Sequence, residues 1–515
     1  MKKEQLSDAI GCMDEDILLE AMSARTRPVR RYRQAWVAVA ACLCVLTGCL
    51  LTVPFLPHEQ PVTDGSDITY LTNTAPTTTT TQSTSTQTTS NHLPSSGTPL
   101  KDVKVLAFAE YPTMAQRPAA YEEAAHTTWW NSLQAQRRQL EEHTDGMSHF
   151  YTKTMQTFLR GEAGENRVYS PLNLYIALSM LAETTEGNSR SQVLDLLDVS
   201  DMTALRRKNH ALWNGVYLDD GAVLSRLANS LWLAEGERWK YDTATVQNLA
   251  YNYYASTYKG IMGSEMYNRV LQGWLNDQTE GLLKEQAGDL KFDPDVMLAL
   301  ASTVCFRAKW TDEFSPHATQ AGAFHAAAGD VTCDFMKRGD MNFAYFGDAF
   351  TAVRMGLDDG AYAMTIFLPH EGVAVGDLTG DSQVLEVLQN PDRSAIGKYM
   401  QVQMSIPKFD VVSDRDLADG LRALGVTDVF DMQKGDFTGI LTEQTEPVYL
   451  SQVQHAARVA IDEEGVTAVA YTVELLAGAG APDEILEFTA DRPFLFAITG
   501  PGETILFTGV VETPQ

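Results

Sequence analysis

The sequence is poor in basic residues. Its 515 residues contain 39 Lys and Arg against 67 Asp and Glu, a formal net charge of −28. Nucleic-acid binding needs concentrated positive charge to neutralise phosphates, so nucleic acid is excluded as a partner. The excess acid indicates a solvated surface that favours solubility. With 44% hydrophobic residues, the chain can still bury a sizeable core.

Cysteine is scarce as well. Six are present, and only Cys305 and Cys333 lie beyond the apolar segment near the N-terminus. No Cys/His cluster has zinc spacing, so we expect no metal site and no cofactor. Two interpretations of Cys305 and Cys333 remain open: one disulfide, or two buried free thiols.

The usual motifs of catalysis are also missing. There is no GxSxG, HExxH or Walker A motif, and no GxGxxG follows a strand. HEGVA, which begins at His370, lacks the second histidine of a zinc motif, and no helix follows the glycines of Leu475–Pro482. We therefore expect no catalytic residues and no enzymatic activity.

One long apolar run is present, from Ala35 to Leu56, and it carries no charge. Its length is about that needed to cross a bilayer. Four arginines lie shortly before it, which favours an N-terminus inside the cell. The pattern predicts a cytoplasmic segment at 1–34 and a transmembrane helix at 35–56, with the rest of the chain on the extracellular face.

An alternative assigns the same run to a lipoprotein signal. Leu46-Thr47-Gly48-Cys49 is similar to a bacterial lipobox, in which the cysteine is lipidated after cleavage, and this suggests a bacterial origin. Both interpretations leave the chain anchored to the membrane from outside. Residues 57–100 are rich in threonine and too polar to fold alone, so they predict a flexible stalk, followed by a folded domain at 101–515.

The folded part mixes helical and strand patterns. Amphipathic spacing predicts helices at Met147–Leu159 and Tyr175–Glu183. Short apolar runs predict strands at Tyr362–Pro369, Val402–Phe409 and Thr504–Val511. Because helices dominate early and strands late, the pattern favours the α+β class over alternating βαβ units.

The segment after Gly465 is competent to form a strand. Val466, Ala468, Ala470 and Thr472 alternate with larger β-formers, which is the period-two pattern of a strand with one small face. That face is small enough to enter between existing strands without overpacking. The following Ala477–Pro482 is too small and flexible for a core, so we expect it to be exposed and easily cleaved.

Several motifs, in order, resemble the serpin family from about Met147 to Pro514. They are NRVYSPLNLYIALSMLAETTEGNSRSQVLDLL, LQGWLNDQTEGLL, TVCFRAKWTDEF, FMKRGD, SIPKFD, LGVTDVFD, EEGVTAVA, DRPFLFAI and ILFTGVVETP. The resemblance implies an α+β serpin-like fold with three β-sheets, eight to nine helices and an exposed reactive-centre loop. It also implies suicide inhibition: a protease cleaves the loop and is trapped as an acyl-enzyme, while the loop inserts into the main sheet.

Carried over residue by residue, the resemblance assigns a hinge and a bait bond. The bait bond falls at Ala479–Gly480, with Ala477–Gly478 and Gly478–Ala479 as fallbacks. A small residue before the bond suits an elastase-like or subtilisin-like serine protease and not a trypsin-like one. The hinge residues are Glu463, Glu464, Gly465, Val466, Thr467, Ala468, Val469 and Ala470.

The family's mid-sheet shutter and its breach, where the loop enters the sheet, map onto Ser170, Asn173, Ser302, Trp310 and His455. Asn173 stands where serine is usual and Ser302 where asparagine is usual, which suggests a compensated exchange. Val466 replaces the usual Thr or Ser but stays uncharged, which is compatible with insertion. Glu474 would fall on the inward face of the inserted strand, where a buried carboxylate is costly.

The expected partner is a target serine protease in a covalent complex, with the inhibitor as a monomer. Two alternatives remain from the sequence: a serpin fold used as a non-inhibitory binding module, and inhibition of cysteine proteases through the same loop. Small hinge residues favour inhibition over the binding module.

Overall fold

The computed structural model describes residues 103–112, 114, 116–118, 122–141, 147–358, 361–450, 453–466 and 484–514. Within these ranges the chain forms ten α-helices and seventeen strands. Helices and mostly antiparallel strands segregate into layers, which confirms the α+β class. The inserting part of the predicted loop, 467–476, and its bait bond at 479–480 lie outside the described residues, as does 1–102.

The helices concentrate in the first half of the chain, as the sequence pattern predicts. They are α1 Glu123–Glu141, α2 Met147–Phe158, α3 Pro171–Thr184, α4 Gly187–Leu197, α5 Met202–Val216, α6 Thr243–Asn252, α7 Glu265–Gln278, α8 Lys284–Asp289, α9 Ser382–Gln389 and α10 Ala418–Ala423.

The strands belong to two sheets. They are β1 Lys104–Ala107, β2 Arg167–Tyr169, β3 Leu218–Asp219, β4 Leu224–Ala234, β5 Ala255–Gly260, β6 Leu298–Lys309, β7 Gln320–Ala326, β8 Gly329–Phe346, β9 Phe350–Leu357, β10 Tyr362–Pro369, β11 Gly397–Pro407, β12 Phe409–Asp416, β13 Gln454–Ile461, β14 Gly465–Val466, β15 Ile485–Thr489, β16 Phe494–Gly500 and β17 Thr504–Val511.

The first sheet has eight strands in the order β1-β5-β4-β6-β14-β13-β12, with β3 paired to β4. The two-residue strand β14 lies between β6 and β13 and is antiparallel to both. The predicted hinge therefore lies in the middle of the sheet.

The second sheet has nine strands in the order β15-β11-β8-β9-β10-β16-β17-β2, with β7 paired to β8. The resemblance implies three sheets in all, yet backbone pairing forms two among the described residues. The reason is β8, which is 18 residues long. It pairs with β7 and β11 along most of its length and with β9 at its end, and so joins two sheets into one.

Helix α3 lies between the sheets and packs against β6 and β17. Its first turn is set by Ser170, whose side chain accepts a hydrogen bond from the Asn173 N–H, and by Pro171 at the first helical position. The helix is buried on nearly every side because its residues are almost all apolar or small. Helix α7 covers the opposite face of the eight-stranded sheet and buries Trp274 against Trp232.

The predicted membrane localisation requires correction. No helix in the described part of the chain is both long enough and apolar enough to span a membrane. The run Ala35–Leu56 and the lipobox-like Cys49, on which that localisation depended, lie outside the described residues, as does the stalk at 57–100. The anchored, extracellular localisation is accordingly withdrawn.

Candidate functional site

The hinge is fixed to the end of β6 by backbone hydrogen bonds. Trp310 donates from its indole N–H to the Asp462 carbonyl, 2.8 Å, and from its backbone N–H to the Glu464 carbonyl, 3.0 Å. The Asp462 carboxylate accepts from the N–H groups of Glu464 and Gly465, at 2.9 and 3.2 Å, and so forms a tight turn. Trp310, predicted as a breach residue, thus holds the turn from which the loop departs.

Gly465 is required by a close approach. Its φ is outside the left-handed region. A Cβ added to it would lie 2.3 Å from the Ala308 carbonyl oxygen and 2.7 Å from Lys309 Cα. A side chain at this position would therefore collide with β6.

Glu463 ties the hinge turn to its surroundings. Its carboxylate accepts from Lys408 Nζ and from the Thr319 hydroxyl, both at 2.7 Å. Burial alone would raise the pKa of this carboxyl, but these two hydrogen bonds outweigh it and the pKa is lowered. Neither Lys408 nor Thr319 was predicted, since nothing in their local sequence indicates a partner more than fifty residues away.

Beyond Val466 a slot separates β6 from β13. Val466 pairs with Ala308 on one side and Ile461 on the other. From there β6 runs on to Leu298 and β13 to Gln454, and no strand in the described ranges pairs with the sides that face each other. A cavity of about 300 Å³ occupies this region and reaches residues of β6, β13, α3 and α7.

Three of the predicted shutter and breach residues, Asn173, Ser302 and His455, line the same cavity. Asn173 donates from its side-chain amide to the Ser302 carbonyl, 3.0 Å, and its carbonyl oxygen contacts the Ser302 hydroxyl. The structure therefore brings together the two positions at which an exchange was predicted. The Ser302 hydroxyl also lies 2.7 Å from the Asn229 carbonyl oxygen. Asn229, buried in β4, was not predicted, because its role depends on which strand neighbours β6.

His455 lies near this pair but hydrogen-bonds elsewhere. Its Nε2 accepts from the Ser170 backbone N–H, 3.1 Å, and its ring packs edge-on to Tyr169. The side chain is buried, and burial lowers its pKa to about 4. Protonation of Nε2 would turn the acceptor facing the Ser170 N–H into a donor, so the neutral ring is the form that fits.

We expect His455 to make the folded state less stable in acid. An unfolded histidine titrates near pH 6.5, so between that pH and about 4 the unfolded chain binds more protons and stability falls as pH falls. The expected loss from this residue between pH 7 and 5 is roughly 2 kcal/mol. Urea unfolding at both pH values measures it, and His455→Asn should show a smaller loss. An equal loss of stability in His455→Asn would show that His455 is not the cause.

The remaining sequence predictions concern cysteines and metals. Cys305 and Cys333 are both free, and burial raises the pKa of the Cys305 thiol to about 11. No group of three or more metal-ligating side chains occurs in the part of the chain that the structure describes. The bait bond Ala479–Gly480 and the hinge residues Thr467–Ala470 lie outside that part.

Comparison with known proteins agrees with this geometry. A family model described as "Serpin (serine protease inhibitor)" matches residues 145–514. Serpin B11 of Mus musculus is 25% identical over 391 residues, 72% of this chain and 99% of its own length. An uncharacterized serpin-like protein of Methanosarcina acetivorans is 25% identical over 378 residues, 71% of this chain and 85% of its own length. These relatives give no support to a bacterial origin.

Solved structures show the same fold. The native state of the thermophilic serpin tengpin matches with a TM-score of 0.66 at 21% identity, over 80% of this chain and all of that one. A thyroxine-binding globulin in complex with thyroxine matches with a TM-score of 0.60 at 18% identity, over 72% of this chain and 99% of that one. The serpin-like fold expected from the sequence is thereby confirmed.

Proposed function

We propose that this chain, which belongs to the serpin family, inhibits serine endopeptidases with elastase-like or subtilisin-like pockets. Serpins are in general protease inhibitors and not catalysts. In the proposed mechanism the target protease cleaves the loop at Ala479–Gly480 and becomes an acyl-enzyme. The freed strand then enters the slot between β6 and β13, and the trapped protease is carried along with it.

One observation supports this proposal above the others. Val466 is already paired on both sides at one end of the slot, while at the other end a cavity is lined by residues 298–303 of β6 and by His455 and Ala456 of β13. Among the described residues no strand pairs with the facing backbone groups of those two strands, which could accept a further strand. Insertion would satisfy them and bury apolar surface, which is the free energy that the mechanism requires.

The observed register predicts where each loop residue would lie. Because β14 is antiparallel to both neighbours, each later residue faces one residue earlier on β6 and on β13. On this register the small residues Ala468 and Ala470 face Phe306 and Val304 of β6. Phe306 and Val304 belong to the apolar core beneath the sheet, so small partners avoid overpacking.

The same register brings Thr472 to the predicted shutter. Thr472 would lie between Ser302 of β6 and His455 of β13, on the face directed toward α3. A hydroxyl at this point can hydrogen-bond with the polar groups gathered there, whereas a larger apolar side chain cannot. The match between a polar loop residue and the polar centre of the slot was not foreseen from the sequence.

Glu474 remains the residue that fits least. Two positions after Thr472, it would face Leu300 and Val453, which both line the cavity. Leu417 and Leu450 line it too, so a carboxylate there would lose its hydration without a charged partner. We therefore expect insertion to gain less free energy at this depth than at the small residues before it.

A panel of proteases tests the proposed class. Incubation with elastase or subtilisin should yield an adduct that survives SDS, together with a released peptide that begins at Gly480. Trypsin should yield no such adduct, because the segment before Ala479 offers no Arg or Lys. An adduct with papain would favour the cysteine-protease alternative, and clean cleavage without adduct by every protease would favour a non-inhibitory binding module.

A further inference from the structure

The described residues within 103–141 precede the part of the chain that matches the family, 145–514, yet they are packed onto the same sheets. Strand β1 pairs with β5 and extends the eight-stranded sheet by one strand. Helix α1 packs on α5, where Leu140 lies so close to Gly215 that an added Cβ would sit 2.7 Å from it. Gln136 donates to the Tyr217 carbonyl, 2.6 Å.

Arg117, between β1 and α1, binds two carboxylates from different sheets. Its Nε lies 3.2 Å from the Asp220 carboxylate, in the turn between β3 and β4 of the eight-stranded sheet. Its two terminal nitrogens donate to both Asp358 oxygens, at 2.7 and 2.5 Å. Asp358 follows β9 of the nine-stranded sheet, so one guanidinium ties the two sheets together. Two parallel hydrogen bonds to one carboxylate are the strongest arrangement that an arginine side chain can form with it.

The surroundings hold this guanidinium in place. It lies over the Trp129 ring of α1, 4.6 Å from the centroid, and the Arg117 N–H donates to the Asp220 carbonyl, 3.0 Å. Asp358 has a φ of +38°, a backbone conformation that non-glycine residues rarely adopt. Such a strained residue persists only where its neighbours fix it, and Arg117 is one of the groups that do so.

The Arg117 contacts lie at the end of the slot where the hinge enters. The Asp358 N–H donates to the Lys309 carbonyl, 3.0 Å, and Lys309 is the residue of β6 that pairs with Gly465. For a complete strand to enter, β6 and β13 must lie two strand spacings apart along their length, about 9.6 Å. Strand β14 already holds them this far apart at the hinge end, so opening the remainder moves one half of the sheet relative to the elements beneath it.

We propose that Arg117 is a positioning residue that holds the half-sheet β1-β5-β4-β6 against the nine-stranded sheet and thereby slows insertion of the loop. The proposal depends on the insertion mechanism proposed above. Opening of the slot by movement of that half breaks the Arg117 contacts to Asp358, so the bonds must be lost before the strand can advance. Arg117 and the segment that carries it thus slow insertion of the cleaved loop into the sheet.

The test measures insertion after the loop is cut. A zinc metalloprotease is used because it forms no acyl-enzyme and cannot be trapped. The full chain is cut, and the fraction that resists unfolding in urea is followed over time. Arg117→Gln should insert at least about tenfold faster than the parent chain, the factor expected for loss of even one of its charge-assisted hydrogen bonds. Arg117→Lys should restore part of the delay, since it keeps the charge but loses the fork.

Arg206→Gln is the matched control. Arg206 also forms a bidentate pair with a carboxylate, that of Glu183, but this pair joins α5 to α3 and does not connect the two sheets. A purely structural role for Arg117 would lower the urea midpoint of both variants and leave the insertion rate unchanged, and that result would overturn the proposal.

A second variant, Asp358→Asn, tests whether the Arg117–Asp358 pair slows insertion. It removes the charge but not the side chain, so it should accelerate insertion even if Arg117→Gln fails to fold, and a double variant should be no faster than either single one. If the cut parent chain never becomes urea-resistant, both the proposed function and the proposed role of Arg117 are wrong. If the cut parent chain does become urea-resistant but Asp358→Asn inserts its loop no faster, only the proposed role of Arg117 is wrong.

Discussion

Replacing Thr472 with arginine is expected to turn the chain from an inhibitor into a substrate. If the loop inserts as proposed, the register that starts at Val466 would place residue 472 between Ser302 and His455, on the inward face of the inserted strand. His455 is 7% exposed and has its pKa lowered by burial, so it offers no negative charge to an incoming guanidinium. Burying an unpaired charge at this point costs several kcal/mol.

The expected measurement is a loss of adduct without a loss of cleavage. The protease should still cut Ala479–Gly480 in Thr472→Arg, because that bond is seven residues further on, but the strand should stop before the shutter and the acyl-enzyme should hydrolyse. We expect adduct yield to fall by at least about a hundredfold, in line with a penalty of several kcal/mol. Thr472→Ser, which keeps the hydroxyl, is the control, and abundant adduct from Thr472→Arg would refute the register.

The second large effect is expected at the exchanged pair. Asn173→Ser should remove the hydrogen bond to the Ser302 carbonyl and leave a gap between α3 and β6, because a serine side chain is too short to span it. The expected cost is about 1–3 kcal/mol, seen as a fall in Tm, together with a lower adduct yield because the shutter is deformed.

The reverse exchange at both positions is the control. Asn173→Ser with Ser302→Asn restores one amide and one hydroxyl to the contact, and it should regain much of the lost stability. Ser302→Asn alone should behave like the other single change, since it places two amides where one fits. An unchanged Tm and unchanged inhibition in Asn173→Ser alone would show that the exchange is not compensated.

Much of the fold could be predicted where a segment carries its own pattern. The runs at 362–369 and 504–511 form β10 and β17 with the predicted bounds, because both are short, largely apolar strands buried on both faces. The run at 402–409 is instead divided between β11 and β12 at Lys408. The Lys408 N–H donates to the Asp334 carbonyl, 2.9 Å, and this distant contact cannot be read from the local sequence.

The candidate site, too, could be predicted from local sequence only in part. Glu463, Gly465 and Trp310 could be identified because the motifs that contain them are contiguous. Lys408, which binds Glu463, lies between β11 and β12, and Asn229, which contacts Ser302, lies on β4, so only the tertiary fold brings each to its partner. Local pattern therefore predicts the residues of the hinge, while the register and the slot depend on tertiary pairing.

The most direct test of the central claim is the mass of the species formed with elastase, measured under denaturing conditions. The account predicts one covalent species whose mass equals that of the protease plus the chain up to Ala479, less one water, with a free peptide that begins at Gly480. It also predicts that the cut chain resists unfolding more strongly than the intact one. Recovery of active elastase and a cut chain of unchanged stability would contradict it.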